Sequence, residues 1–524
     1  MLDFDKNLYK RLEKLRFLLY NIKRKFYKKS KGREMAYIVA IDEGTTSTRA
    51  ILYDLEKNKI VAQKSSGIKQ IYPELGYVEE SASEIYAETL ASLIEILESL
   101  DDISEVKGIG ITNQRETVVA WDKKTGKPLY NAIVWQCRRT AEFMERINEK
   151  CGELIHRKTG LVCDAYFSAS KMKWLIDNVP EIKAKNEKGE LCFGTVDSYL
   201  CYKLTNGKAF VTDVTNASRT MLFNLETLSW DDELSEIFGI SKNSLPKIIM
   251  SDEKVGEFEY KGVKIPVCGV AGDQQAALVG QGCLSKGDSK ITYGTGLFML
   301  YNTGYKSIIS QKGLVTTVGY GIGGKVSYAF EGSVFNAGSA VQWLRDNLGF
   351  FRRSGESESL ATSVKSSEGV YVVPAFTGLG APYWNPEARG MITGLTRSST
   401  KAHITRATLE AIAYSAKDLV CVMEEESGGK LSELKCDGGA SSNDFLMDFQ
   451  ANLIGVNVNR PEEKESTALG AAYLCAIGLG LIKPEDISSL RVCEKLFIPN
   501  GNDKEKYEKL YDGWKKAVKR CLYD

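Results

Sequence analysis

YIVAIDEGTTSTRAILYD, residues 37–54, sets an apolar, β-branched run before a Gly-Thr-Thr turn and a second apolar run after it. It reads as strand, tight turn, strand. Glycine in such a turn lets the backbone approach a ligand, while neighbouring hydroxyls and amides face phosphate oxygens. A second hairpin of the same kind, SKITYGTGLFMLYN, occupies residues 289–302 with Gly294-Thr295 at its turn. Two such hairpins half a chain apart predict a nucleotide held between two related domains. Asp42 ends the first strand just before the turn, where a carboxylate can hold a magnesium ion on the phosphates.

Outward from the first hairpin, helical spacing over residues 81–100 precedes an apolar strand at 106–112. Strand patterns follow at 117–121 and 132–135, helices at 138–150 and 168–178, and a strand-and-turn cluster at 258–270 leads into the apolar stretch 271–280. The second half repeats this order. Its hairpin is followed by a strand at 325–330, a helix at 339–348, a Gly- and Pro-rich loop at 377–386 and a long helix at 403–426. A strand at 434–436, a helix at 443–454, a strand at 456–459 and a helix at 467–479 complete it. Strands alternating with helices in both halves predict an α/β protein divided near residues 284–288.

A chain of 524 residues exceeds a single core, and 43% hydrophobic with 26% charged residues is the composition of a soluble enzyme-sized protein. The net charge of +1 hides an asymmetry: residues 1–34 carry 12 Lys or Arg against 4 Asp or Glu, leaving 57 basic and 64 acidic residues in the remainder. A mildly acidic body gives no footprint for nucleic acid. The head itself places Leu8, Leu12, Leu15, Leu19, Ile22 and Phe26 at steps of four and three among basic residues, a basic amphipathic helix. It is read first as an extension upstream of Met35, with a membrane-surface or partner-binding arm as the alternative. The 12 Cys form no C-x-x-C pair and read as reduced cytoplasmic thiols. With only His156 and His403, Ser-His-Asp or Cys-His hydrolysis and multi-histidine metal sites are all but excluded, so a general base is expected to be a carboxylate.

Five segments carry chemistry. Around the first turn, Thr45, Thr46 and Ser47 supply donors and Arg49 a cation for phosphoryl oxygens. Residues 112–117, TNQRET, put Arg115 and Glu116 at the end of an apolar strand, where ligands of α/β sheets bind. Asp273 opens an apolar helix beside Gln274, as a helix-start carboxylate, a base or a magnesium ligand. Residues 437–443, DGGASSN, form a turn flat enough for a purine, and Trp135, Tyr166 and Phe298 are aromatics beside these polar segments. The G-x-G-x-x-G at residues 319–324 leads into a strand instead of a helix and reads as a hairpin turn.

These motifs, together with NAIVWQCRRTAE, YFSASKMKW, VTNASRTMLFN, GVAGDQQAAL, GLGAPYWNPEARG and CDGGASSNDFLMDFQ, resemble the FGGY carbohydrate kinases of the actin and hexokinase-like superfamily, in the branch that acts on glycerol. The resemblance runs from residue 37 nearly to the end. It implies two ribonuclease-H-like (actin-like ATPase) domains, residues 36–285 and 286–524, after an extension at 1–35, with a cleft between them. It implies ATP-dependent phosphorylation of glycerol to sn-glycerol 3-phosphate in the cytoplasm, the entry step of glycerol catabolism, with ATP and Mg²⁺ as cofactors and a homodimer or homotetramer as the assembly. A pentulose-directed FGGY kinase and a non-catalytic actin-like assembly protein are the alternatives. Arg115, Glu116, Tyr166, Asp273 and Gln274 are implied to bind the glycerol hydroxyls, Trp135 and Phe298 to flank its carbons, and Asp273 to be the base. Thr45, Thr46, Ser47, Arg49, Gly294, Thr295, Gly338, Gln342, Gly439 and Asn443 are implied to line the ATP site, with Asp42 on the metal. Two departures stand out. Glu43 replaces a common Gln, adding negative charge beside the phosphates, and Ala165 replaces a proline, loosening the turn that presents Tyr166.

Overall fold

In the computed structural model, which describes residues 36–522, the opening hairpin seeds a six-stranded sheet. Its strands are β1 (Tyr37–Glu43), β2 (Ser47–Asp54), β3 (Lys59–Gly67), β4 (Val106–Asn113), β5 (Lys254–Tyr260) and β6 (Val263–Gly272), in the spatial order β5-β6-β4-β1-β2-β3. β1 runs antiparallel to β2 and parallel to β4, and β4 parallel to β6. Every residue of β1 is buried, as expected of a parallel-sheet centre covered on both faces.

The second hairpin seeds the second sheet: β7 (Ser289–Tyr293), β8 (Leu297–Gly304), β9 (Val315–Ile322), β10 (Lys325–Val334), β11 (Glu433–Asp437), β12 (Asn457–Pro461) and β13 (Cys493–Phe497), ordered β9-β10-β8-β7-β11-β12-β13. β7 pairs antiparallel with β8 and parallel with β11, which continues parallel into β12. Both sheets therefore centre on the first strand of a Gly-Thr hairpin, with the antiparallel partner on one side and two parallel strands on the other. The basic segment predicted over residues 1–35 lies outside the described residues.

Helices cover the sheets: α1 (Ala82–Glu98), α2 (Ser168–Asn178), α3 (Asp273–Gly280), α4 (Gly338–Asp346), α5 (Lys401–Ser427), α6 (Asp444–Ile454), α7 (Ser466–Gly478) and α8 (Lys504–Cys521), with the 19-residue helix Ala141–Thr159 and shorter ones between. The helix predicted at 467–479 is α7, buried continuously from Ala468 to Ala476. It packs on the first sheet so closely that a Cβ on Gly110 would lie 2.3 Å from the Ala471 carbonyl oxygen. α3 crosses α7 with equal intimacy: a Cβ on Gly470 would sit 1.8 Å from the Ala276 oxygen, and one on Gly280 1.9 Å from the Ser466 oxygen. One apolar cluster accordingly joins Ile38 and Ala40 of β1, Leu278 of α3, Leu300 of β8 and Leu474 of α7, so the two halves share a core at this crossing.

The glycine-rich decoy is the turn between β9 and β10, with φ of 58° at Gly323 and 75° at Gly324. Positive φ at both central residues matches the twist of a two-residue hairpin. Both histidines are structural. His156 bonds the Leu161 and Ser310 carbonyls, and His403 completes the capping box of α5 with Thr400.

Candidate active site

Register brings three strand ends to one edge of the first sheet. Asp42 of β1 lies opposite Thr112 of β4, and Thr112 opposite Ala271 of β6. Asp42, the loop after β4 and Asp273 thus emerge together at the carboxyl ends of parallel strands, where α/β sheets bind ligands. The Asp42 carboxylate pairs with the Arg49 guanidinium, whose other arm donates to Glu465 at 2.6 Å. Burial raises the Asp42 carboxyl, and Arg49 opposes that rise. The Thr112 hydroxyl, across the register, is buried without a hydrogen-bond partner. No group of three His, Cys, Asp or Glu side chains that could hold a metal occurs among the described residues. One carboxylate and one free hydroxyl fit an ion such as Mg²⁺, which keeps several waters and takes further ligands from phosphates. In the turn itself the Gly44 amide donates to the Ser47 carbonyl at 3.0 Å, Thr46 is exposed, and the Thr45 hydroxyl accepts the Trp135 indole N–H at 3.0 Å.

Arg115 is the hub of the next layer. Its Nε lies 3.1 Å from Asp273 Oδ1, its Nη1 and Nη2 donate to the two oxygens of Glu331 at 2.5 and 3.1 Å, and Nη1 also donates to Gln275 at 3.2 Å. Glu116, held at φ 61°, accepts from Arg219 Nε at 2.6 Å, and Arg219 Nη2 donates to Glu331 at 3.0 Å. Burial alone would raise the Glu331 carboxyl, but the two guanidiniums outweigh it and hold it at about 2. Asp273, in contrast, stays above its ordinary value because burial exceeds the pull of Arg115. It is the one acid of this network left partly open to the cleft, with 34% of its side chain exposed. Gln274 beside it accepts from Lys290 Nζ of β7 at 2.5 Å.

Trp135 and Tyr166 meet edge to face with centroids 5.6 Å apart. The turn that carries Tyr166 is not loosened by Ala165. Lys171 of α2, fully buried, donates to the carbonyls of Ala165, Tyr166 and Phe167 at 2.9, 2.5 and 2.9 Å and replaces the stiffness a proline would give. Burial pulls the Lys171 ammonium down to about 7, yet three carbonyls on its three protons are what a charged ammonium needs. Phe298 stands half-buried on β8, opposite Thr292 and Ser333.

The remaining predicted residues gather at the equivalent edge of the second sheet. The Gly338 amide donates to the Gly294 carbonyl at 3.0 Å, and the Ala337 and Ser339 amides to Thr295 at 2.9 and 3.0 Å. A Cβ on Gly338 would lie 2.4 Å from the Gly294 oxygen, so the start of α4 can rest on the hairpin only as glycine. Gln342 and Gly439 are exposed on this edge, and Asn443 caps α6 by accepting from the Leu446 amide at 2.9 Å.

Glu43 does not reach solvent beside the turn. It is fully buried, shares the Gln114 side-chain amide with Glu80, and has one oxygen without a partner. Burial first, then the Glu80 charge, push its carboxyl well above the ordinary value of 4.5. Sequence reasoning missed Glu331, Arg219, Gln275, Lys290 and Glu465. Glu331 and Lys290 lie inside apolar strands, Gln275 and Glu465 at helix starts and Arg219 in the turn after a short helix.

Residues 37–280 match the family model described as FGGY family of carbohydrate kinases, N-terminal domain, and residues 289–479 match its C-terminal domain. A glycerol kinase of Geobacillus sp. (strain WCH70) is 52% identical over 492 residues, which cover 93% of this chain and 99% of that protein. Among solved structures, the Plasmodium falciparum glycerol kinase with ADP superposes with a TM-score of 0.88 at 37% identity, covering 94% of this chain and 99% of that one. A xylulose kinase from Lactobacillus acidophilus shares the fold at a TM-score of 0.84 and 24% identity, covering 93% and 98%. With both halves of the family model matched in order across paired Gly-Thr sheets, the chain belongs to the FGGY family of carbohydrate kinases.

Proposed function

We propose that this chain transfers the γ-phosphoryl group of ATP to a terminal hydroxyl of glycerol, giving sn-glycerol 3-phosphate. The reading rests foremost on Asp273, a partly open carboxylate at a strand end, 3.1 Å from Arg115, with Glu116 beside that arginine and the aromatic pair Trp135 and Tyr166 nearby. The glycerol kinases at 52% and 37% identity support the choice of substrate, and the ADP carried by the Plasmodium falciparum enzyme supports the choice of nucleotide.

In this reading the hydroxyl proton moves to a carboxylate oxygen of Asp273 as the oxygen attacks phosphorus. Burial raises the affinity of that carboxylate for the proton, and Arg115 opposes the rise and holds the group in place. Arg115, Glu116, Tyr166 and Gln274 offer paired donors and acceptors to the polyol, and an unpaired buried polar group is what rejects a poorer substrate. Trp135 and Phe298 cover the carbon edge. Arg49 and the hydroxyls of Thr45, Thr46 and Ser47 neutralise phosphate charge, which is the larger part of phosphoryl-transfer catalysis. Mg²⁺ would be held by Asp42 and would supply Lewis-acid charge to the β- and γ-phosphates. Gly294, Thr295, Gly338, Gln342, Gly439 and Asn443 would carry the nucleotide on the second lobe, with the lobes divided near residue 285. A coupled ADP-release assay over a panel of polyols tests this: glycerol is expected to give the highest kcat/KM, and a pentulose outranking it would overturn the assignment.

A further inference from the structure

The two side chains flanking Asp273, Arg115 from the loop after β4 and Gln274 at the start of α3, are each gripped by a charged residue of the second sheet. Glu331 of β10 takes Arg115 with both carboxylate oxygens, at 2.5 and 3.1 Å. Lys290 of β7 donates to Gln274 Oε1 at 2.5 Å and to the Thr292 hydroxyl at 3.1 Å. Lys290 and Glu331 are 0% and 1% exposed, so neither reaches solvent or an open cleft.

Resting on the assignment of glycerol as substrate, we infer that Glu331 and Lys290 are positioning residues for polyol recognition. The second lobe fixes where the first lobe's Arg115 and Gln274 present their hydrogen-bonding groups to the substrate hydroxyls. The geometry of Arg115 supports this directly. Its Nε lies 3.1 Å from Asp273 as an ion-pair contact, and its three donor contacts go to Glu331 and Gln275. An arginine whose fork is filled from behind has no rotational freedom left, and its remaining face is aimed by Glu331. Arg219 reinforces the arrangement by donating to both Glu331 and Glu116, tying the second recognition residue to the same carboxylate. Gln274 shows the complementary case. Lys290 has only protons to give, so the Gln274 oxygen is fixed on Lys290 and the amide nitrogen is the end left for the cleft. Two opposite charges of one sheet thus set the polarity of two neutral or cationic groups of the other. Glycerol recognition is thereby coupled to how the lobes sit together, and substrate discrimination is sensitive to residues that touch no substrate.

The test uses the full-length enzyme with Glu331→Gln and Lys290→Met, and with the milder Glu331→Asp and Lys290→Arg in case the first pair fails to fold. Glycerol KM, ATP KM, melting temperature and the ratio of kcat/KM for glycerol over propane-1,2-diol are measured for each. The diol lacks one hydroxyl, so the ratio reads whether hydroxyl recognition is intact. The expected result is a glycerol KM raised about tenfold or more and a glycerol-to-diol ratio lowered about tenfold, with ATP KM within about twofold of the parent and smaller shifts of the same kind in the milder variants. Folded variants that melt earlier but keep both the glycerol KM and the ratio would overturn the inference and leave these residues purely structural. Absence of glycerol turnover in the unaltered enzyme would instead overturn the functional reading on which it rests.

Discussion

Among single residues, the proposed mechanism makes Asp273 and the side chains that hold it decisive. Asp273→Asn keeps the shape but removes the proton acceptor and the charge paired with Arg115; kcat is expected to fall by about 10² to 10⁴, with ADP affinity within a few-fold of the parent by calorimetry. Trp135→Ala is expected to raise the glycerol KM more than the ATP KM in steady-state kinetics, since the indole covers the polyol side while only its N–H reaches Thr45. Lys171→Met strands three buried carbonyls, and a loss on the order of 3 kcal/mol in urea unfolding is expected. Asp42, Arg49, Arg115, Glu116 and Asp273 were legible in the sequence because each interrupts an apolar strand end or begins a helix beside a turn. Glu331 and Lys290 were not, because inside a strand a single charge says nothing of the partner across the fold. The opposite lesson comes from Glu43, whose carboxyl is pushed upward by burial and by a neighbour, Glu80, that only folding supplies.

At the level of helices and strands, the hairpins were readable from apolar runs around Gly-Thr turns and the core helix α7 from its unbroken apolar stretch, and α2 spans the predicted residues 168–178. The closing helix α8 was not, since only Tyr507, Trp514, Ala517 and Val518 are buried among its many charges. What docks it is a carboxylate. Asp418 of α5 accepts from Tyr511 at 2.5 Å and Trp514 at 2.9 Å of α8, and from Tyr383 at 3.0 Å. Burial, opposed by these donors, places its pKa at about 6 against 3.8 in the unfolded chain. The folded state therefore binds the extra proton between those values. Its contribution to stability is present in full below about pH 4 and is lost as pH rises through about 6, on the order of 2 to 3 kcal/mol. Asp418→Asn is expected to flatten the unfolding free energy between about pH 4 and 6 relative to the parent; an unchanged slope would assign that pH dependence to other groups. The crossing of α3 and α7 makes a separate prediction. Gly470→Ala places a methyl where the Ala276 carbonyl oxygen lies, and a clearly lower melting temperature is expected, with a cost of about 1 to 3 kcal/mol or more.

Across the whole molecule, the repeated hairpin was enough to foresee two sheets of one plan. It could not reveal that α3 of the first half and α7 of the second interlock through glycines, because close backbone approach leaves no periodic mark in a sequence. Nor could it show that charges of the second sheet reach across to Arg115 and Gln274. No helix among the described residues is long and apolar enough to cross a membrane. Phosphoryl transfer to glycerol through Asp273 is decided by product identification with ³¹P NMR, incubating ATP, Mg²⁺ and glycerol with the parent enzyme and with Asp273→Asn. A glycerol 3-phosphate resonance growing together with ADP is expected for the parent, and nearly none for the variant. Inorganic phosphate in place of the phosphoester, or equal product from both enzymes, would contradict this mechanism.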